Sequence, residues 1–342
     1  MEQALYGPAG FFTAGAGPAA HFRTSSHAAG PFAAAVLALL TRVDDALGNP
    51  AVVDLVDVGA GRGELLLGVR AAAPPALRGR LRLVAVELAP RPADLPPDVA
   101  WTDRLPDTVT GLLTAVEWLD NVPLDVVRDG RYVRTDDTLG DPVSAEDAAW
   151  LARWWPPDAG AGAGLVAEVG RTRDAAWADA VSRVVAGLAL AVDYGHVAGQ
   201  RPAFGTLTGY RAGRQVPPVP DGTCDITAHV AIDSVAAAGD AVIADAGDPA
   251  RAAGGRVTVA AGGRAAPVLL RQGEALRALG ADGRRPPVSL AGTDPAAYVR
   301  ALAGASLAGE LTDPAGLGSH YWLLHPVGVT TPHIPHRTEP GS

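Results

Sequence analysis

The sequence predicts an α/β protein with a mostly parallel, Rossmann-like sheet covered by helices on both faces, and three observations lead there. Short β-branched apolar runs alternate with stretches of helical spacing, the order that builds parallel sheets. One such run, 52–58, passes directly into glycines 59, 61 and 63 and then into a helical stretch, giving strand, turn and helix in that order. Another, 186–192, is almost unbroken in apolar residues, as a strand buried on both faces requires.

Taken in order, residues 1–27 are rich in Gly, Ala and aromatics and read as loop. Residues 31–47 carry apolar side chains at helical spacing, with Pro31 suited to a first turn. After the strand at 52–58 and the glycines, 64–70 reads as helix; 81–87 is a second strand. A further strand at 112–116 ends at Glu117, before a turn-like stretch to Pro123. Between Val127 and Val185 lies an insertion with a hairpin around 129–134, a helix over 145–155 and a Gly/Ala/Pro linker at 156–164. Beyond 205 the pattern is irregular α+β, with strands near Val257 and Trp322 and helices over 226–238, 273–279 and 295–303.

Composition excludes several functions. A chain of 342 residues that is 48% apolar can build a substantial core. A net charge of −9 argues against a nucleic-acid partner, because neutralising phosphates needs clustered positive charge, and leaves a cationic partner compatible. The sequence has no lysine, so a Schiff-base or P-loop chemistry that needs an ε-amine is ruled out. Cys224 is the sole cysteine, which removes internal disulfides and cysteine-rich metal sites and points to a reducing, cytoplasmic compartment. The longest strongly apolar run, 32–40, is short of a bilayer span, and no membrane insertion is expected.

The chemistry concentrates at Asp57-Val58-Gly59-Ala60-Gly61-Arg62-Gly63. Glycines let a backbone turn sharply and approach a ligand, and the helix that follows presents N–H groups at its start. Glycine alone is weak evidence in a chain with 41 of them, and a second triplet stands at 160, 162 and 164. That second triplet follows Trp-Trp-Pro-Pro in linker composition, so the first is the ligand loop. Glu87, ending the next strand 24 residues past Gly63, can accept from both hydroxyls of an adenosine ribose. The candidate cofactor set is Asp57, Gly59, Gly61, Gly63, Glu87 and Asp103. Dinucleotide enzymes place a third glycine where this chain has Glu64; a carboxylate there would repel a pyrophosphate but tolerates the ammonium end of S-adenosylmethionine.

These motifs resemble the MidA family, which includes the mitochondrial complex I assembly methyltransferase. The pieces run in order along nearly the whole chain: ALYGPAGF at 4–11, FRTS at 22–25, the 57–64 loop, EWLDNVP at 117–123, AVDYG at 191–195, GTLTGYR at 205–211 and DITAHV at 225–230. The chain departs from the family pattern at Ser26 and His27, where Pro and Glu are usual, at Val116 and Asn121, where Asn and Ala are usual, and at Gly213, where histidine is common. The resemblance implies a class I methyltransferase fold, S-adenosylmethionine as donor and, for mitochondrial members, protein arginine as acceptor, which here would be a subunit of a respiratory NADH dehydrogenase. It divides the chain into a loop and helix covering the donor site (1–50), a methyltransferase core (51–127 and 181–342) and an insertion (128–180).

Methyl transfer from a sulfonium is an in-line displacement, so the enzyme mainly positions the nucleophile and excludes water. A protonated guanidinium acceptor also needs carboxylates to bind its fork and a route for proton loss. Glu117 and Asp120, after the strand at 112–116, fit that role; Asp193 and Tyr194 end the buried run 186–192 at the same edge, with Asp193 a further catalytic candidate. His229, read here on a helix, is a candidate base; Tyr210 and Arg211 either shape the acceptor pocket or pack. A protein arginine methyltransferase, a small-molecule methyltransferase and a non-catalytic assembly factor that keeps the donor fold all remain open on sequence.

Overall fold

The computed structural model describes residues 1–14, 29–156, 164–246, 265–330 and 334. The chain begins with two short helices, α1 (Glu2–Tyr6) and α2 (Phe11–Ala14), where the sequence reads as loop. Helices of five and four residues do not hold by propensity. They form because Leu5 and Phe11 are buried against Cys224 and Ile226, far along the chain. The FRTS piece of the family pattern lies outside the described residues.

The core begins with α3 (Ala29–Ala46), which buries Phe32, Val36, Leu39, Leu40 and Val43 at helical spacing. Then come β1 (Val53–Val58), α4 (Glu64–Ala72), α5 (Pro75–Arg78), β2 (Leu81–Val86), β3 (Val99–Thr102) and β4 (Val109–Val116). Next is a separate antiparallel sheet of β5 (Asp125–Arg128), β6 (Arg131–Val133), β7 (Leu139–Pro142) and β8 (Val166–Val169), with α6 (Ala145–Trp154) between its last two strands. The linker triplet's first two glycines, 160 and 162, lie outside the described residues. α7 (Arg171–Ser182) returns to the main sheet and leads into β9 (Val184–Asp193).

After β9 come β10 (Gly195–His196), a three-stranded sheet of β11 (Thr208–Arg211), β12 (Arg214–Val216) and β13 (Asp225–Thr227), then β14 (Val230–Ala231) and α8 (Ile232–Ala246). The expected helix over 226–238 is thus wrong at its start. Residues 225–231 are extended because β13 pairs with β11 and β14 with β10, and the helix begins only at Ile232. Tertiary pairing overrides the apolar spacing that suggested a helix. The expected strand near Val257 lies outside the described residues. The chain ends its core with β15 (Val268–Arg271), α9 (Gln272–Ala278), α10 (Ser289–Thr293), α11 (Pro295–Thr312) and β16 (Tyr321–Val327).

The main sheet has the order β3-β2-β1-β4-β9-β16-β15. Its first five strands are parallel, and β16 runs antiparallel to both neighbours. Apolar clusters cover the two faces, one around α3, α4 and Trp322, the other around Trp177 of α7 and Val235 of α8. Strand order reverses beside β1, where β2 follows on one side and β4 on the other, and in open sheets of this kind ligands bind at the strand ends flanking such a reversal. Among the described residues no helix is long and apolar enough to cross a membrane.

Candidate functional site

A cleft opens at that reversal. It is lined by Val58, Gly59, Ala60 and Gly61 beyond β1, by Glu87 and Leu88 beyond β2, and by Asp103 and Leu105 beyond β3. Glu117, Trp118, Asp120 and Asn121 close it beyond β4, and Tyr6 and Phe12 reach it from the two N-terminal helices. Four carboxylates, Glu87, Asp103, Glu117 and Asp120, face the cleft, and no arginine or histidine is among its described lining residues. Such a wall favours a cationic ligand.

The glycine loop contours the cleft. Gly59 and Gly61 have φ of +72° and +59°, the left-handed region that glycine enters without cost, and a Cβ on Gly59 would stand 3.0 Å from Cδ1 of Trp118. The N–H groups of the loop itself are engaged within the protein. Gly59 and Ala60 donate to the Val86 carbonyl, Gly61 to Glu87 Oε2 at 2.9 Å, Arg62 to Glu64 Oε2 at 3.0 Å and Gly63 to the Ala60 carbonyl. The Glu64 carboxylate, folded back over the loop, would repel a pyrophosphate at the start of α4. Glu87 accepts from Gly61 and, through Oε1, from Ala89 N–H at 3.0 Å, which leaves half of its four lone-pair positions for ligand hydroxyls.

Two of the candidate cofactor residues support the loop from outside the cleft lining. Asp57 is buried and accepts from Thr114 Oγ1 at 2.8 Å. Burial, more than the Glu64 and Glu87 charges and against the Thr114 hydroxyl, pushes its carboxyl up to about 7. Gly63 is the N-cap of α4 at φ +85°, where a Cβ would press on Leu95 at 2.9 Å.

On the far side of the cleft, Asp120 sits in a single 3₁₀ turn (Leu119–Asn121). Its Oδ2 accepts from the Tyr194 hydroxyl and from Thr227 Oγ1 at 2.5 Å, while Oδ1 is buried without a hydrogen-bond partner. Asp193 holds the turn: Oδ2 accepts from Asp120 N–H at 3.2 Å and Oδ1 from Tyr194 N–H at 3.0 Å. Asn121, a departure from the family pattern, donates to Asp225 Oδ1 at 2.8 Å and to the Ile226 carbonyl at 3.2 Å, tying the turn to β13. Burial raises the Asp120 and Asp193 carboxyls above the usual range, Asp193 further because Asp120 and Glu117 stand nearby, and takes Asp225 up to about 8.

His229 is on the exposed link between β13 and β14 rather than on a helix. Its ring lies 5.2 Å from that of Tyr194, and its backbone N–H donates to Thr206 Oγ1 at 2.8 Å. Tyr210 and Arg211 are on β11 and do not line the cleft; Arg211 Nε donates to the Thr223 carbonyl at 3.1 Å.

Other parts of this side of the cleft escape sequence reading. Arg173 of α7 is 1% exposed and donates to the carbonyls of Asp120, Val122, Ala228 and His229, fastening the 3₁₀ turn to the β13–β14 link. Glu168 of β8 accepts from Thr206 N and Oγ1 and from Leu207 N, at 2.5 to 2.7 Å. Thr227 and Asp225 stood inside a quoted motif with no role attached; Arg173 and Glu168 lie in the insertion range, where nothing in the sequence marks them.

The family model described as "Putative S-adenosyl-L-methionine-dependent methyltransferase" matches residues 37–246, more than half of the chain. Two crystal structures of COG1565 superfamily proteins from Burkholderia thailandensis share the fold. One, bound to S-adenosyl-homocysteine, has a TM-score of 0.72 and 24% identity over 96% of this chain and 86% of its own. The other, a native form, has a TM-score of 0.73 and 22% identity over 98% and 88%. No curated protein matches the chain.

Proposed function

The chain belongs to the S-adenosyl-L-methionine-dependent methyltransferase family whose model it matches, and we propose that the group it methylates is an arginine guanidinium of a protein. The observation that carries this reading is the cleft wall, four carboxylates with no basic side chain among its described lining residues. S-adenosylmethionine supplies an electrophilic methyl group on a sulfonium, and such a donor and a guanidinium are both cations. The ordered resemblance to the MidA family supports the same acceptor and points to a subunit of a respiratory NADH dehydrogenase as the protein that carries it.

The chain's residues divide the work. Glu87 keeps lone pairs for the ribose hydroxyls, and Gly59 leaves the space between loop and Trp118 open. Glu117 and Asp120 bind the guanidinium fork, gaining about 1.5–3 kcal/mol per charged hydrogen bond. Asp193 and Arg173 hold the turn in which Asp120 sits. As the new N–C bond forms and the S–C bond breaks, its electron pair stays on sulfur and the methylated guanidinium sheds one proton to a carboxylate of this cluster. Carboxyls held above their usual range by burial are suited to take it.

The test is to incubate the protein with methyl-labelled donor and a lysate of its own organism. Label in a polypeptide, released as methylarginine on hydrolysis, is the expected result. Label in a metabolite would move the function to a small-molecule methyltransferase, and no label at all to a donor-binding assembly factor.

A further inference from the structure

Because β16 runs against β9, its beginning rather than its end reaches the ligand edge, and Tyr321 pairs with Asp193. This register delivers His320 to the acceptor side. His320 is 7% exposed, and its ring lies 5.4 Å from that of Tyr194. Its Nδ1 is 3.9 Å from Glu117 Oε1 and has no hydrogen-bond partner. A buried polar atom left unpaired costs stability and calls for an explanation. Hydrogen bonds in active sites are commonly long before substrate arrives and tighten in the complex, so a contact of this length can become a bond. Burial, with the His229 ring nearby, holds the imidazole down to about 4, so at neutral pH it offers an N–H and no charge.

We propose that His320 is a positioning residue of the acceptor site: Nδ1–H donates to Glu117 Oε1 and fixes that carboxylate so that its other oxygen meets the acceptor guanidinium. This rests on the reading of Glu117 as an acceptor-binding carboxylate. A neutral donor suits the task, because an imidazolium would compete with the guanidinium for the carboxylate charge, whereas a neutral N–H sets the orientation and leaves the charge to the acceptor.

Nitrogen NMR of the full-length, histidine-labelled protein with S-adenosylhomocysteine bound tests the donor atom, with His320→Asn assigning the resonance. At neutral pH His320 should be uncharged with the proton on Nδ1, and Glu117→Ala should move that proton to Nε2. A proton on Nε2 in the wild type, a charged ring, or an Nδ1 proton unmoved in Glu117→Ala overturns the proposal. The second arm measures binding of N-acetylarginine amide to the same complex. His320→Leu should weaken it about tenfold, and His320→Asn, whose amide N–H lies near the same place, by no more than about threefold. Equal binding by wild type and His320→Leu, or equal loss in both variants, overturns it. If the wild type ignores the arginine probe while the tautomer result holds, it is the arginine reading that has failed, and the acceptor-positioning role falls with it.

Discussion

The two edges of the main sheet both bury carboxylates and treat them in opposite ways. Where the parallel strands begin, Asp54 receives Nε and Nη2 of Arg82 at 2.6 and 2.8 Å and Thr110 N–H at 2.7 Å, and Asp44 receives Arg80 at 2.8 and 2.5 Å. Where they end, Asp57, Asp120, Asp193 and Asp225 are equally buried, yet the bonds described to their side chains come from hydroxyls, an amide and backbone N–H groups. Arg173, the guanidinium amid them, gives its described hydrogen bonds to main-chain carbonyls. The first edge is compensated and serves stability; the second leaves its carboxyls without a cationic side chain bonded to them and raised by burial, a state that the arrival of a cation would relieve.

Four substitutions probe that contrast. Gly61→Val, on the uncompensated edge, places a branched side chain at φ +59° in the cleft and should weaken S-adenosylmethionine binding by about a hundredfold or more while the protein remains folded, as calorimetry would register. Binding as tight as wild type would remove the loop from the donor site. Asp120→Asn should lower turnover on the acceptor roughly ten- to hundredfold with donor affinity within a few-fold; a normal specific rate would mean that this uncompensated carboxyl serves something other than the acceptor.

At the compensated edge, Arg82→Ala leaves Asp54 buried with only a backbone donor among its described partners. It should cost about 2 kcal/mol in chemical denaturation, less than a fully buried pair because Arg82 is half exposed, and change neither donor affinity nor turnover per folded molecule. Loss of activity there would erase the distinction between the edges. At Asp57 the effect has the opposite sign. An acid whose folded value, about 7, lies above its unfolded value near 4 holds more protons folded than unfolded between those limits. Stability therefore falls as pH rises through that window, and the deficit is complete above it. Asp57→Asn removes the deficit, so its melting temperature should exceed that of wild type by a few degrees at about pH 8 and equal it at about pH 4. A melting temperature lowered at both pH values would show that the charge, not the neutral acid, is what the fold requires.

The side of the cleft formed by the glycine loop and Glu87 stands out in the sequence and its far side only in part, for a topological reason. Gly59, Gly61 and Glu87 lie just past the ends of consecutive parallel strands, so a local pattern and a spacing suffice to find them. Asp120 and Asp193 were reachable by the same rule. His320 was not, because the rule looks past strand ends and β16 is antiparallel, which puts its first residues at the site. His229 was found but misplaced on a helix, since the apolar spacing of 226–238 carries no sign that β11 and β10 claim its first residues as strands. Tyr6 and Phe12 belong to helices that exist through their burial against Cys224 and Ile226, more than two hundred residues away.

The Glu168 carboxylate ties the small antiparallel sheet to the acceptor side more closely than its place in an insertion suggests. It holds Thr206 and Leu207, and Thr206 in turn holds the His229 backbone, so β8 reaches the β13–β14 link through two consecutive side-chain bonds. The insertion and the acceptor edge are therefore not separable modules. A protein pared down to its seven main strands would keep the glycine loop but lose the tether of the segment around His229, and a change at Glu168 of β8 would reach that segment without touching a cleft-lining residue.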